Sequence, residues 1–319
     1  MGDDKPPLWI DDVVEGWRVE RVIARGGMAW VYHVRHPARG DAALKVLDPN
    51  LLEGATKQRQ WLVYARFNRE GRIQMRLRHE NLVAVYESTD VDGIPALIME
   101  LVEGPALDEL LEQRELTVKE IDAIAEGIFE GVRAAHEEGV LHRDLKPSNV
   151  LLSMKGDRIV AKVADFGIAK DQASELDTAD ELPTELTRTG QVMGTPSYMA
   201  PRQAADSKHV DESVDCFALG ILLHELCTRR RMVSEGRFVD APSIEDALRG
   251  LRRERRLPRR FVRAIEASLA DDPPFDSVAG MVAVWRGGRV YRRRGARGLV
   301  LMAVAVVALA AWIGWSGQI

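Results

Sequence analysis

The run HRDLKPSN at His142–Asn149 sets polar side chains around one leucine and one proline, a composition from which no sensible core can be built. Immediately before it, Thr117–Glu138 carries Ile121, Ile124, Ile128 and Val132 at helical spacing, which predicts a long amphipathic helix. Immediately after it, Val150–Leu152 and Ile159–Val163 read as short strands, and the tripeptide DFG begins at Asp165. Asp144 therefore falls in a loop between a helix and a strand, with a second acid, Asp165, just past the next strand.

Upstream, the pattern is that of a small sheet. Trp17–Ile23 alternates apolar and polar residues, a short Gly-containing turn follows, and Trp30–Val34 reads as a second strand. The Pro37–Gly40 loop leads into a third strand, Ala42–Leu47. Gln58–Leu77 has helical spacing, and Leu82–Glu87 and Ala96–Leu101 read as two further strands. Residues 1–16 read as a polar lead-in. The first hundred residues thus form an α+β unit of five strands and one helix. After Gly104 helices dominate, among them Ser213–Cys227, while Lys170–Gly190 is a long polar loop.

Lys45 in AALK, HRDLKPSN, DFG and the run GTPSYMAP ending at Pro201, in that order, resemble the bacterial eukaryotic-like (Hanks-type) serine/threonine protein kinases over Trp17–Trp285. The resemblance implies a bilobal protein-kinase-like fold, with a small lobe of five antiparallel strands plus one helix at 17–101 and a larger, mainly helical lobe at 105–285. It implies ATP and Mg²⁺ as cofactors and protein Ser/Thr hydroxyls as acceptors. Phosphoryl transfer needs in-line positioning and charge neutralisation more than covalent help. By resemblance, Lys45 reaches the α/β-phosphates and pairs with a helix carboxylate, Glu70, with Glu53 a weaker candidate. Asp144 accepts the proton of the substrate hydroxyl, Lys146 reaches the γ-phosphate, and Thr195 bonds Asp144 and Lys146. Asn149 and Asp165 supply the oxygen ligands that suit Mg²⁺. Asp215 braces the catalytic loop. Ile23, Ala24, Gly26, Gly27 and Val31 form the phosphate-covering loop. Val31, Ala43 and Leu151 sandwich the adenine, Met99 is the gatekeeper, and Glu100–Val102 is the hinge. Thr187 and Thr189 match autophosphorylated positions of an activation segment, where a phosphate could pair with Arg143.

The sequence departs from the family pattern in three places. Ala24 and Ala29 replace the first and third glycines of the loop. Arg202 stands where APE has its glutamate. Asp271–Asp276 lacks the late arginine that would pair with that glutamate. Loss of both partners implies a rewired larger lobe rather than a broken one. The alternative reading is a membrane-tethered pseudokinase or scaffold that binds nucleotide without efficient transfer.

The chain has 319 residues, a formal net charge of -5, 46% hydrophobic and 29% charged residues, which excludes a disordered chain and a small disulfide scaffold. Cys216 and Cys227 are the only cysteines; they fit a reducing compartment and read as two small buried hydrophobes. Leu299–Trp315 is uncharged and apolar, with Arg292, Arg293, Arg294 and Arg297 before it and Trp312 and Trp315 at its far end. That pattern predicts a single transmembrane helix with the kinase domain on the cytoplasmic side. The stem 286–298 contacts anionic membrane lipid, and residues 316–319 form a short outer tail. Ala310 and Gly314 hint at helix pairing and a homodimer. No nucleic acid partner is expected. The arginines between Arg229 and Arg263 form either a solvated helical surface or a docking face.

Overall fold

Along the third predicted strand the side chains alternate: Ala42, Leu44 and Val46 enter one apolar cluster, while Ala43 and Leu47 enter another on the opposite face. Lys45 shares the second face. This period of two sets the architecture of the small lobe in the computed structural model, which describes residues 5–156, 158–166, 211–232, 244–254, 256–270, 273–275 and 277–288. Its sheet is antiparallel and has six strands: β1 (Val13–Val14), β2 (Trp17–Arg25), β3 (Ala29–His36), β4 (Gly40–Leu47), β5 (Val85–Val91) and β6 (Ile94–Met99), in the order β1-β2-β3-β4-β6-β5.

Two expectations are corrected here. The sheet has six strands, not five, because the lead-in contributes one. Glu15 and Gly16 both adopt positive φ, closing a two-residue hairpin that pairs Val14 with Trp17. Leu8 and Val14 are buried in the same cluster as Trp17 and Tyr32. The last two strands are present but shifted in their bounds: β5 begins three residues later than expected and β6 two residues earlier. Asp92 and Gly93, again both at positive φ, turn β5 directly into β6. Leu82 instead bridges to Val163.

Helix α1 (Lys57–Gln74) starts at Thr56, whose hydroxyl accepts the Arg59 amide, and buries Phe67 and Gly71 against the sheet. Glu53, the weaker carboxylate candidate, closes a 3₁₀ turn (Pro49–Leu52) and is exposed.

The larger lobe is built on α3 (Val118–Glu137), opened by a capping box in which Thr117 and Glu120 satisfy each other's backbone amides. Ile121, Ile124, Ile128 and Val132 are buried on one face as the spacing predicts; each contributes about 2 kcal/mol of burial. Gly131 is required by close approach: a Cβ there would lie 2.5 Å from the Asn81 carbonyl. The missing side chain lets the segment between α1 and β5 lie directly on α3. The other elements are α2 (Leu107–Gln113), β7 (Val150–Lys155) paired with β8 (Arg158–Val163), α4 (Ser213–Thr228), α5 (Ile244–Arg253), α6 (Arg259–Ser268) and α7 (Val278–Trp285). Cys216 and Cys227 are buried in α4, and burial pushes the Cys227 thiol up to about 12.

Much of the basic stretch is spent on internal ties. Arg229 donates to the carbonyls of Leu111 and Glu112, Arg252 pairs with Glu266, and Arg256 with Glu115. Arg260 donates to Asp122 at 2.8 Å and to the Trp285 carbonyl at 2.8 Å. Trp285, fully buried, donates its indole N–H to the other Asp122 oxygen at 2.8 Å and stacks on Phe261 with ring centroids 3.8 Å apart. This clasp fixes α6 and α7 to α3. Arg202, Asp271, Asp272 and Asp276, where the family's late ion pair is missing, lie outside the described residues.

Candidate active site

The loop that follows α3 has to turn sharply, and it does so through Arg143 at φ 62, an uncommon conformation for a side-chain-bearing residue. Asp215, fully buried in the first turn of α4, holds it there. Its carboxylate accepts the amides of His142 and Arg143 at 2.8 Å each and lies 2.7 Å from the His136 ring. Burial pushes the Asp215 carboxyl up, but His136 and these amides outweigh it and hold the group below its usual range. His136 is correspondingly raised: its burial disfavours charge, and the Asp215 carboxylate overcomes this. The bracing role expected of Asp215 is thus met in the geometry. His142 is buried, with Nε2 3.0 Å from the Ala164 carbonyl and its ring against Phe166 at 4.5 Å.

On this frame Asp144, Lys146 and Asn149 come together. Lys146 Nζ lies 3.1 Å from Asp144 Oδ2. The Asn149 amide nitrogen donates to the Asp144 carbonyl at 2.8 Å and to Asp144 Oδ2 at 3.3 Å. This fixes the amide's orientation and leaves its oxygen without a donor among the described residues. Asp165, at φ 56, accepts from Lys45 Nζ at 2.7 Å. Burial works against both charges of that pair. Their mutual attraction prevails, so Lys45 is raised and Asp165 lowered from their ordinary values.

Glu70 is placed differently from the expected pairing. Among the described residues Lys45 is ion-paired only with Asp165, while Glu70 accepts from Gln74 at 3.0 Å. Burial pushes the Glu70 carboxyl up to about 7; the Lys45 charge, beyond ion-pairing reach, offsets this only in part. The physical reason is competition for one ammonium: the Asp165 carboxylate is already in contact with it.

The adenine-sandwich and gatekeeper residues converge. Val31, Ala43, Met99, Val102 and Leu151 belong to one apolar cluster at the junction of the lobes. At the hinge, the Glu100 amide is taken by the Ala84 carbonyl at 2.8 Å, whereas the Val102 amide donates to no described residue. Of these two hinge amides, the Val102 N–H is therefore the one open to an adenine edge. Ile23, expected with Val31 in the phosphate-covering loop, is exposed and is not part of that cluster.

The β2–β3 turn tests whether a triphosphate fits. Ala24 pairs with Val31 inside β2 and Ala29 opens β3; neither has positive φ, so neither position demands glycine. A Cβ on Gly27 would meet nothing within 4 Å, and one on Gly26 only the Ala29 carbonyl at 3.6 Å. The fold itself does not need these two glycines, and the room they leave is what a phosphate chain needs. The Asn149 amide oxygen and the Asp165 carboxylate are hard oxygen donors, as Mg²⁺ requires. Thr187, Thr189 and Thr195 lie outside the described residues.

Sequence reasoning had not singled out Lys162, which bonds the Glu100 side chain, nor the pairing of Asp165 with Lys45. A cross-strand view of β7 and β8 would have put Lys162 opposite Leu151.

The chain matches the protein kinase domain family over residues 17–259. It is 37% identical over 217 residues to the serine/threonine-protein kinase pkn3 of Myxococcus xanthus, covering 66% of this chain and 37% of that one. It is 36% identical over 213 residues to the serine/threonine-protein kinase PknL of Mycobacterium tuberculosis, covering 66% of this chain and 48% of that one. The chain thus spans between a third and a half of these relatives. Among solved structures, the PknI kinase domain of Mycobacterium tuberculosis superimposes with a TM-score of 0.64 at 26% identity, covering 88% of this chain and 98% of that one. Two lobes, the Lys45–Asp165 pair, the grouping of Asp144 with Lys146 and Asn149, and a sequence match across both lobes lead to one conclusion: the chain belongs to the protein kinase domain family.

Proposed function

We propose that this chain transfers the γ-phosphate of ATP to Ser/Thr hydroxyls of protein substrates. The observation that carries the reading is the convergence of Asp144, Lys146 and Asn149 in one hydrogen-bonded group, beside an Asp165 held by Lys45. Mg²⁺, when bound by Asn149 and Asp165, supplies charge neutralisation on the phosphates. Lys45 exchanges its carboxylate partner for phosphate oxygens and Glu70. Lys146 meets the γ-phosphate, and Asp144 Oδ2 takes the proton of the acceptor hydroxyl. Val102 holds the adenine edge. Lys146 and the Ser/Thr-kinase names of the relatives favour a Ser/Thr acceptor.

Anchoring belongs to the same proposal. Leu299–Trp315 is uncharged and long enough for a short span, and the arginines before it favour a cytoplasmic kinase domain and contact with anionic lipid. Among the described residues no helix is long and apolar enough to cross a membrane, and residues 299–315 are outside them. Thr187 and Thr189 are the proposed autophosphorylation sites.

The test is incubation with labelled ATP and Mg²⁺ and a mixture of Ser- and Thr-containing peptides. Wild type labels itself and the peptides, and Asp144→Asn binds nucleotide but transfers about 10²–10⁴-fold more slowly. Wild type that binds ATP and transfers nothing replaces this reading by the scaffold.

A further inference from the structure

Three segments meet at the Lys162 ammonium. Lys162 stands on β8 directly opposite Leu151, the floor of the adenine slot. Its Nζ lies 3.0 Å from Glu100 Oε1 and 3.1 Å from Oε2, and donates to the Glu80 carbonyl at 2.7 Å. Glu100 is the hinge residue after Met99, and its carboxylate also accepts the Ala84 amide at 3.3 Å. The segment from Glu80 to Val83 is sewn to β8 along its length. The Asn81 side chain donates to the Ala161 carbonyl, the Val163 amide to the Asn81 carbonyl, and the Val83 amide to the Val163 carbonyl. The Lys162 side chain is only 13% exposed and that of Glu100 25%, so the pair is poorly screened by solvent.

Leu101, Val102 and Leu151 are only partly buried where the hinge meets β7, and the backbone ties to that strand come later in the chain, from the Leu152 amide to the Pro105 carbonyl at 3.0 Å and in the bridge between Ala106 and Leu151. The hinge is otherwise held from below where Gly104 lies so close to the Leu152 carbonyl that a Cβ would collide at 1.8 Å. We propose that Lys162 is a positioning residue for the nucleotide: by tying the Glu100 carboxylate and the Glu80 carbonyl to the strand that carries the adenine floor, it sets the separation between Val102 and Leu151. Lys162 touches neither adenine nor phosphate; it acts through Glu100. Hinge and floor are then registered by an ion pair that both lobes share. The inference rests on the cleft being the ATP site.

The experiment measures affinity for ATP by titration with a fluorescent ATP analogue and competition by ATP, together with steady-state kinetics against a peptide. Lys162→Met is expected to raise Kd and KM for ATP about tenfold, with kcat and KM for the peptide within about twofold. Lys162→Arg restores most of the affinity. Because Lys162→Met leaves a carboxylate half-buried without its cation, Lys162→Met/Glu100→Met serves as the folding control. With both charges gone its melting temperature is near wild type, yet its affinity for ATP is as weak as that of Lys162→Met. Unchanged ATP affinity in Lys162→Met, or recovered affinity in the double variant, overturns the positioning role. An equal loss for ATP and peptide that tracks melting temperature overturns it too, as a purely structural effect. Wild type that binds no ATP analogue overturns the reading of the cleft instead, a result separable from all of these.

Discussion

Replacing Glu70 by Gln should make the nucleotide-free protein more stable and less active. The carboxyl is largely but not fully buried, its contact is a side-chain amide, and its pKa is raised from 4.5 to about 7. A folded-state value above the unfolded one means that stability is fully present below pH 4.5 and lost as pH climbs to about 7, because ionisation is resisted only in the folded state. At about 1.4 kcal/mol per unit, the full effect is on the order of 3 kcal/mol. Between pH 5 and pH 8, and allowing for the partial exposure of the side chain, about 2 kcal/mol of it should be visible. Gln keeps the shape and the contact with Gln74 and cannot ionise. Melting temperatures of the two proteins, measured without nucleotide, should therefore diverge by about 5 °C between pH 5 and pH 8, with the variant higher at pH 8. Transfer by the variant should fall at least about tenfold, because Lys45 loses the carboxylate that receives it once phosphate draws it from Asp165. Other titrating groups cancel in the difference. Parallel melting curves across this range would refute the argument, since they would mean that Glu70 ionises as freely folded as unfolded.

Other outcomes follow from the same structure. Asp215→Ala leaves the amides of His142 and Arg143 and the His136 ring without their acceptor and should cost about 3–5 kcal/mol in denaturant unfolding. The His136–Asp215 pair holds His136 above its ordinary value, so its contribution is present below about pH 6.5 and lost as pH rises through the folded value; His136→Gln should flatten that part of the stability–pH curve. Trp285→Ala removes a stacked, hydrogen-bonded indole and should cost about 3–5 kcal/mol, read by chemical denaturation. Truncation before Arg292 should move the protein from the membrane fraction to the soluble one, and persistence in membranes would put the anchor elsewhere.

How far the residues announce this structure depends on whether their chemistry is local. Asp144, Lys146 and Asn149 lie within one short run, and their convergence could be anticipated from it. The faces of α3 and β4 follow from their hydrophobic period. The extra strand escaped because Glu15-Gly16 is a weaker hairpin signal than Asn-Gly. The β5–β6 turn carries the stronger signal, Asp92-Gly93, but the apolar runs around Leu82–Val85 and Ala96–Leu101 draw the expected strands away from it. Partners distant in sequence were the least legible. Nothing local tells whether Lys45 rests on Glu70 or Asp165, since both are acids within range and the choice is made by which carboxylate the fold brings nearer. The arginines between Arg229 and Arg263 gave a charge count but no partners. Only the tertiary contacts, such as Arg260 with Asp122 and Arg256 with Glu115, show that several of them tie segments together.

The Arg260–Asp122–Trp285 clasp gives the domain a mechanical property. Asp122 lies near the start of α3, and the far end of the same helix runs straight into the loop bearing Asp144. Arg286 adds a second fastening, to Glu126 and Glu130 one and two turns along. A tug on the backbone at Gly288 would be passed through these fastenings to α3, and so to the helix whose far end leads into the loop bearing Asp144.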